Sequence, residues 1–191
     1  MPQLFFKRID DYIQGEPSTD PVANMISMMM SGAAALSFAN TDADIRGLDL
    51  AWGYELTNSV GIDGLLSYAR GEQRDGSDYL YRLAPLNGRV AFTYERENWA
   101  LRFEAVAYAA QDDVAAYNGE SKTPGYAILN ARLSFRPIGG LLLSASVANL
   151  ADRQYAGHLD GINRVAGVDV PLGERLFGPG RSVQLGVSYA W

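Results

Sequence analysis

The chain has 191 residues, a formal net charge of -6 and no cysteine. The acidic balance excludes nucleic acid as an expected partner, because a phosphate backbone requires a basic surface, and the missing cysteine excludes a disulfide framework and thiolate chemistry. Mean hydropathy is -0.10, and no run reaches the roughly 20 apolar residues of a spanning helix. A transmembrane β-barrel needs no such run, since only every second strand residue faces lipid.

The N-terminal part of the chain enters strand-like sequence at once. Residues 4–13 (LFFKRIDDYI) predict a first strand, and no basic region, long apolar run or small-residue cleavage site precedes them. We therefore expect no signal peptide, and expect an envelope protein of this sequence to be a mature piece or a fragment. Residues 15–41, which contain two prolines and four closely spaced methionines, predict a loop that can include a helical turn near the methionines.

Alternating apolar and polar residues predict seven further strands. They cover residues 43–54, 60–70, 86–94, 99–109, 126–136, 141–148 and 182–191. Their lengths suit tilted strands that cross a bilayer, and their connections alternate between long and short. Aromatic residues lie near strand ends, as in an interfacial girdle: Tyr54, Tyr68, Tyr94, Trp99, Phe135 and Trp191.

Charged and amide side chains recur at the positions between the apolar ones. They are Arg89, Arg102, Glu104, Asn130, Arg132 and Arg136. Facing lipid would cost an Arg or Lys roughly 2–4 kcal/mol at the membrane midplane, and a dry sandwich core would exclude it. These residues predict a wet barrel lumen, or alternatively the solvent face of a soluble sheet.

The last ten residues alternate to the end of the chain. Their apolar positions are Val183, Leu185, Val187, Tyr189 and Trp191. A terminal aromatic after such alternation resembles the C-terminal signature of bacterial outer-membrane β-barrel proteins.

Four further segments resemble TonB-dependent outer-membrane receptors. Residues 147–155 (VANLADRQY) resemble the NLFD-x-x-Y segment of the penultimate strand, with Ala151 in place of the usual Phe. Residues 8–13 (RIDDYI), 42–47 (DADIRG) and 178–181 (GPGR) resemble two earlier strands and the start of the last strand. Together they follow the family's order over essentially the whole chain.

The resemblance implies an all-β fold, an antiparallel transmembrane β-barrel of about eight strands forming one domain over residues 1–191, without a plug domain. It implies a bacterial outer-membrane location and TonB-dependent uptake of a metal chelate, a ferric siderophore or copper. The implied partners are outer-membrane lipid, the barrel-insertion machinery and, in the full receptor, TonB and a plug domain. Two alternatives stay open: a small closed barrel without transport, which requires a ladder between residues 4–13 and 182–191, and a soluble β-sandwich binding module.

Candidate ligand residues lie in the long connections. Thioethers are soft ligands suited to Cu(I), so Met25, Met28, Met29 and Met30 are candidate metal ligands together with His158, the sole histidine. The alternatives are loop-packing methionines and a histidine that is solvated or is a partner for a loop backbone group. Arg153, Arg164, Arg175 and Arg181 could contact an anionic ligand.

We expect no enzyme activity and no cofactor. The sequence has one histidine, no Gly-x-Ser-x-Gly elbow and no Walker-type loop. The acidic pairs Asp10/Asp11 and Asp112/Asp113 are adjacent in sequence, so on a strand their side chains would point to opposite faces.

Overall fold

A computed structural model describes residues 1–32, 34–163, 165 and 167–191. Eight strands form one antiparallel sheet in chain order. The strands are β1 (Pro2–Pro17), β2 (Leu36–Thr57), β3 (Val60–Gln73), β4 (Asn87–Arg96), β5 (Trp99–Tyr108), β6 (Tyr126–Phe135), β7 (Leu141–Ala148) and β8 (Ser182–Tyr189). A helix, α1 (Pro21–Ser31), and a short 3-10 turn, η1 (Ala116–Asn118), lie in the connections.

The register between strands keeps apolar residues on one side of the sheet, called here the apolar face. One continuous row across six strands consists of Ile62, Phe92, Phe103, Ala131, Val147 and Val183. The opposite side, the polar face, has the adjacent row Asp63, Ala91, Glu104 and Asn130. Large apolar side chains stay exposed along the whole apolar face, for example Leu185 at 77%. The predicted alternation is therefore confirmed.

The connections confirm the predicted alternation of long and short. Residues 18–35, 74–86, 109–125 and 149–181 form long connections, whereas residues 58–59, 97–98 and 136–140 form short turns. Because neighbouring strands are antiparallel, all long connections lie at one end of the sheet, the long-loop end, and all short turns at the other.

The sheet is open. Strands β1 and β8 lie at its two edges, and within the described residues no pairing joins them. The small closed barrel required such a pairing, so that alternative is wrong for this structure. The soluble sandwich is wrong as well, because the described strands form a single sheet with an uncovered apolar face. An edge strand presents unpaired backbone groups that favour pairing with a further strand.

The structure corrects the prediction of a loop over residues 15–41. Strand β1 continues to Pro17, strand β2 begins at Leu36, and an 11-residue helix lies between them. The Asp20 side chain caps α1 by accepting hydrogen bonds from the backbone N–H of Val22 and Ala23, and Gly32 ends the helix at a φ of 64°. With both ends capped, residues Pro21–Ser31 form a helix and not a loop. Among the described residues, no helix is both long and apolar enough to cross a membrane.

Gly47 in β2 occupies a crowded position. A Cβ there would overlap the Phe5 ring and the Tyr68 carbonyl oxygen. At Gly61 in β3 the nearest atom is the Tyr54 carbonyl oxygen, 3.9 Å away. The two glycines therefore form a matched pair in neighbouring strands.

We expect Gly47→Ala to lower the free energy of unfolding by about 1–3 kcal/mol, because an added methyl in a filled site forces shifts. Gly61→Ala should be neutral or slightly stabilising, since it restricts the unfolded chain without a clash. Thermal unfolding followed by circular dichroism measures both. Equal stability of the two variants would contradict the close approach of Phe5.

Candidate functional site

The polar face carries a network of ion pairs at its centre. Arg102 donates to both carboxylate oxygens of Asp63, at 2.7 and 3.0 Å. Arg89 bridges Asp63 at 3.1 Å and Glu104 at 3.4 Å, and Asn130 donates to Glu104 at 3.1 Å. The bidentate pair is the strongest of these contacts. Two guanidinium groups and two carboxylates thus neutralise each other across three strands.

The structure brings most of the predicted lumen residues together. Arg89, Arg102, Glu104 and Asn130 join this network, and Arg132 lies on the same face, directly opposite Arg102. Arg136 is exposed and lies just beyond β6 at the short-turn end. Its backbone N–H donates to the Asn98 carbonyl at 2.6 Å, and among the described residues its side chain has no hydrogen-bond partner. Sequence reasoning missed Asp63, although it occupies a non-apolar position of a strand that alternates clearly.

A cavity of about 290 Å³ adjoins this network. Its lining includes Arg132, Ser146 and Gln184. Arg132 is exposed there, whereas Arg89 and Arg102 are engaged by carboxylates. The cavity therefore has a positive wall suited to an anionic group.

Three long connections meet at a second cluster, the loop junction, defined by Arg82, Glu120, Thr123, His158 and Arg175. The His158 ring is 4% exposed. Its Nδ1 lies 3.0 Å from the Thr123 hydroxyl and its Nε2 lies 3.0 Å from Glu120 Oε1. Glu120 also accepts backbone N–H bonds from Arg82 at 3.0 Å and Ala115 at 2.9 Å. His158 is therefore buried and bonded at both ring nitrogens, so the alternative of a solvated loop histidine is wrong.

Arginine side chains complete the loop junction. Arg175 donates to the carbonyl oxygens of His158 at 2.6 Å and Asp160 at 3.2 Å, and to the Ser121 hydroxyl at 3.1 Å. Arg82 donates to the Leu159 carbonyl at 2.7 Å. Arg175, a predicted ligand residue, is thus engaged in holding the loops.

Burial lowers the pKa of His158 below its usual range, and Arg175 and Arg82 act in the same direction, while Glu120 opposes them. A neutral ring fits the contacts, with Nε2 donating to Glu120 and Nδ1 accepting from Thr123. Protonation would place a further cation beside two arginines.

The last long connection begins, directly after β7, with two residues of positive φ, Asn149 at 51° and Asp152 at 52°. Asn149 is 2% exposed; its side chain donates to the carbonyls of Arg153 at 2.8 Å and Pro179 at 3.3 Å. Asp152 accepts from the Arg181 backbone N–H at 2.7 Å. Asn and Asp tolerate this conformation better than most residues, so the segment after β7 is fixed to the start of β8.

The predicted ligand residues are only partly assembled. Arg153 is exposed beside Asn149, and Arg164 lies outside the described residues. The methionines lie on α1, exposed by 53–82%. Met25, Met28 and Met29 follow i, i+3, i+4 spacing and share one helix face. Both His158 ring nitrogens have partners in the loop junction, so the structure does not present this ring to the methionines as a ligand.

The lowered pKa of His158 predicts a pH dependence. A group whose pKa is lower in the folded state stabilises the fold above its ordinary pKa of about 6.5, and this contribution is lost as pH falls through the lowered value. We expect the protection factors of residues 109–125 and 149–163 in hydrogen exchange, which correct for the base-catalysed intrinsic rate at each pH, to fall from pH 7.5 to pH 5. His158→Gln, which keeps a donor towards Glu120, should show a weaker pH dependence. An equal fall of the protection factors in both proteins would contradict a role of His158.

Comparison with protein families gives one match for this chain. A family model described as "TonB dependent receptor-like, beta-barrel" matches residues 3–150. No curated protein matches the chain in sequence.

Solved structures match over the full sheet. The copper transporter OprC has a TM-score of 0.87 and 24% identity, over 100% of this chain and 28% of that protein. The FrpB iron transporter from Neisseria meningitidis has a TM-score of 0.67 and 17% identity, over 98% of this chain and 28% of its own. A mutant of the ferric enterobactin receptor PfeA from Pseudomonas aeruginosa has the same TM-score and identity, over 100% of this chain and 28% of its own.

At these identities the structures show a shared fold. The chain spans less than a third of the length of each of these proteins. An open sheet of eight strands with two free edges is what a sector of a larger barrel would have. The family match over residues 3–150 and the fold agree, and the chain belongs to the TonB-dependent receptor family.

Proposed function

We propose that this chain is part of an outer-membrane receptor that takes up a metal chelate, a ferric siderophore or copper, with energy supplied through TonB. One observation carries the proposal: a single eight-stranded sheet has an uncovered apolar face and, behind it, a charged face. Among the similar structures, OprC is named as a copper transporter and FrpB as an iron transporter.

The apolar face supports a membrane location. Its exposed residues recur at every second position on neighbouring strands, as lipid-facing residues of a barrel do. The ion pairs of Asp63, Arg89 and Arg102 lie on the other side, where a water-filled interior would solvate them. We propose outer-membrane lipid as the partner of the apolar face and a plug domain as a partner of the polar face.

We expect Leu185→Arg on the apolar face to reduce assembly in the outer membrane, because Arg costs roughly 2–4 kcal/mol at the lipid midplane. Gln184→Arg is the matched control, since the neighbouring residue lies on the polar face and lines the cavity beside Arg132. Protein in outer-membrane fractions, compared by immunoblot, measures assembly by the insertion machinery. Normal levels of Leu185→Arg would contradict the membrane location of this face.

For the cargo, the exposed methionines favour copper. Met25, Met28 and Met29 present three thioethers on one face of α1, and thioethers prefer Cu(I). Since the His158 nitrogens are engaged by Thr123 and Glu120, the copper proposal rests on the methionines alone. The charge-free helix otherwise has no feature that explains four exposed methionines.

A ferric siderophore is the second candidate. Arg132 gives the polar-face cavity a positive wall, and Arg153 is exposed at the base of the last long connection. Both would suit an anionic chelate. Arg175 is less suited, because its guanidinium group is bonded to loop carbonyls.

The test uses the complete receptor in its own cells. We expect the combined change of Met25, Met28, Met29 and Met30 to Leu to reduce copper accumulation at limiting copper to the level of a strain without TonB. Leu has a similar volume and helix propensity, so α1 should persist. Val22→Leu with Ile26→Leu is the control on the same helix and should leave accumulation unchanged.

The outcomes separate the candidates. Unchanged copper accumulation in the methionine variant would overturn the thioether site. TonB-dependent accumulation of iron chelate, lost in Arg132→Gln but not in the methionine variant, would support the siderophore instead. Accumulation of neither cargo in a TonB-dependent manner would overturn the proposed function.

A further inference from the structure

A second cavity lies at the long-loop end, between the β1–β2 hairpin and the loop junction. It measures about 290 Å³. Pro17 and Leu36 of the hairpin and Ile162 of the last long connection form its apolar wall. Among the described residues, its lining includes neither the methionines of α1 nor Arg132. The cavity is therefore separate from both cargo sites of the proposed function.

Opposite charges line the polar side of this cavity. They belong to Arg82, Arg175, Glu120 and Asp160, so two guanidinium groups face two carboxylates. Glu120 is bonded to the His158 ring and to backbone N–H groups. Arg175 is bonded to loop carbonyl oxygens and the Ser121 hydroxyl. Arg82 and Asp160 are therefore the two charged groups with capacity for a ligand.

Arg82 is exposed and has an unusual backbone conformation in the cavity wall. Its φ is 59°, which is uncommon for residues other than glycine, asparagine and aspartate; such conformations cluster at functional sites, including ligand clamps. The backbone N–H of Arg82 donates to Glu120 at 3.0 Å, and Nη2 donates to the Leu159 carbonyl at 2.7 Å. The guanidinium group has further N–H donors in a planar fork that fits a carboxylate.

Asp160 offers an acceptor near that donor. Its Oδ2 accepts the Gly157 backbone N–H at 2.6 Å, whereas Oδ1 has no hydrogen-bond donor within the described chain. Arg82 is bonded to the carbonyl of Leu159, the residue before Asp160. The two side chains nevertheless form no ion pair with each other in the part of the chain that the structure describes. A small molecule that carries both charges could therefore contact both side chains.

We propose that this cavity binds a small zwitterion of the α-amino-acid type. Its carboxylate accepts from Arg82, its ammonium group donates to Asp160 Oδ1, and its apolar side chain contacts Leu36 and Ile162. Both polar contacts are charge-assisted hydrogen bonds, which are stronger than neutral ones. An anion alone would leave Asp160 without a partner. The proposal goes beyond uptake of a metal chelate and does not depend on the identity of the cargo.

The test is isothermal titration calorimetry of the purified complete receptor with L-leucine, in neutral detergent at neutral pH and without added metal. Isocaproate has the carboxylate and the apolar chain of leucine but no ammonium group, and isoamylamine has the ammonium group but no carboxylate. We expect each of them to bind about tenfold more weakly than leucine, because each loses one hydrogen bond between charged groups.

Two variants assign the charged groups. Asp160→Asn keeps an acceptor for the Gly157 N–H and should bind leucine and isocaproate equally, because the partner of the ammonium group is lost. Arg82→Gln should bind leucine and isoamylamine equally for the corresponding reason. Arg136→Gln, at the exposed arginine of the short-turn end, is the matched control and should keep both preferences for leucine.

The pattern of preferences separates a binding role from a structural one. General loosening of the loops weakens all three compounds alike, and such an equal loss in both variants would overturn the roles of Arg82 and Asp160. Failure of the unchanged protein to bind leucine, or equal binding of isocaproate, would overturn the zwitterion site. Inorganic phosphate that binds as tightly as leucine would do the same. The titration needs neither TonB nor metal, so loss of uptake with intact leucine binding would count against the proposed function alone.

Discussion

Successive side chains of a strand point to opposite faces of a sheet, and both faces of this sheet depend on keeping that alternation in register. A shift of β5 by one residue against its neighbours would bring Arg102 and Glu104 to the apolar face and Phe103 to the polar face. The ladders from β3 to β8 run without irregularity. The ion pairs of the polar face reinforce this register, since Asp63 on β3 reaches Arg102 on β5 across β4.

The long connections are ordered by a different principle. Few of their residues form an apolar core, and polar side chains bind backbone groups of distant loops instead. Asp78 accepts from the backbone N–H of Ala116 and Tyr117. At the loop junction Glu120 likewise accepts from backbone N–H groups, and Arg175 donates to backbone carbonyls. Where the backbone group is buried, as at Ala115, whose N–H donates to Glu120, losing such a bond is costly because the partner is left unsatisfied. Hydrogen bonds between side chains and backbone therefore determine the positions of the loops, whereas the alternation of apolar and polar residues determines the sheet.

This difference explains what the sequence could predict. Period-two alternation is local, so the eight strands, their two faces and the order of long and short connections were predicted, and the family motifs pointed to the same barrel. Helix α1 was missed because the segment 15–41 that contains it is rich in proline, alanine and serine, which is typical of a loop, although Asp20 and Gly32 are recognisable caps. The burial of His158 arises from contacts with residues more than 30 positions away, which no local pattern records. The open edges of the sheet were left undecided, because closure depends on the partners of β1 and β8 and not on their alternation.

The unequal strand lengths have a mechanical consequence. Strand β2 has 22 residues, whereas β6 has 10, so the β1–β2 hairpin extends well past its neighbours and carries α1 at its tip. The hairpin is braced from the side, where the Asn118 amide of η1 donates to the Gly15 carbonyl at 2.8 Å. The connection that contains η1 also supplies Glu120 to the loop junction. This connection therefore touches both regions at once: a change in its position would alter the bond to Gly15 in the hairpin and the bond of Glu120 to His158.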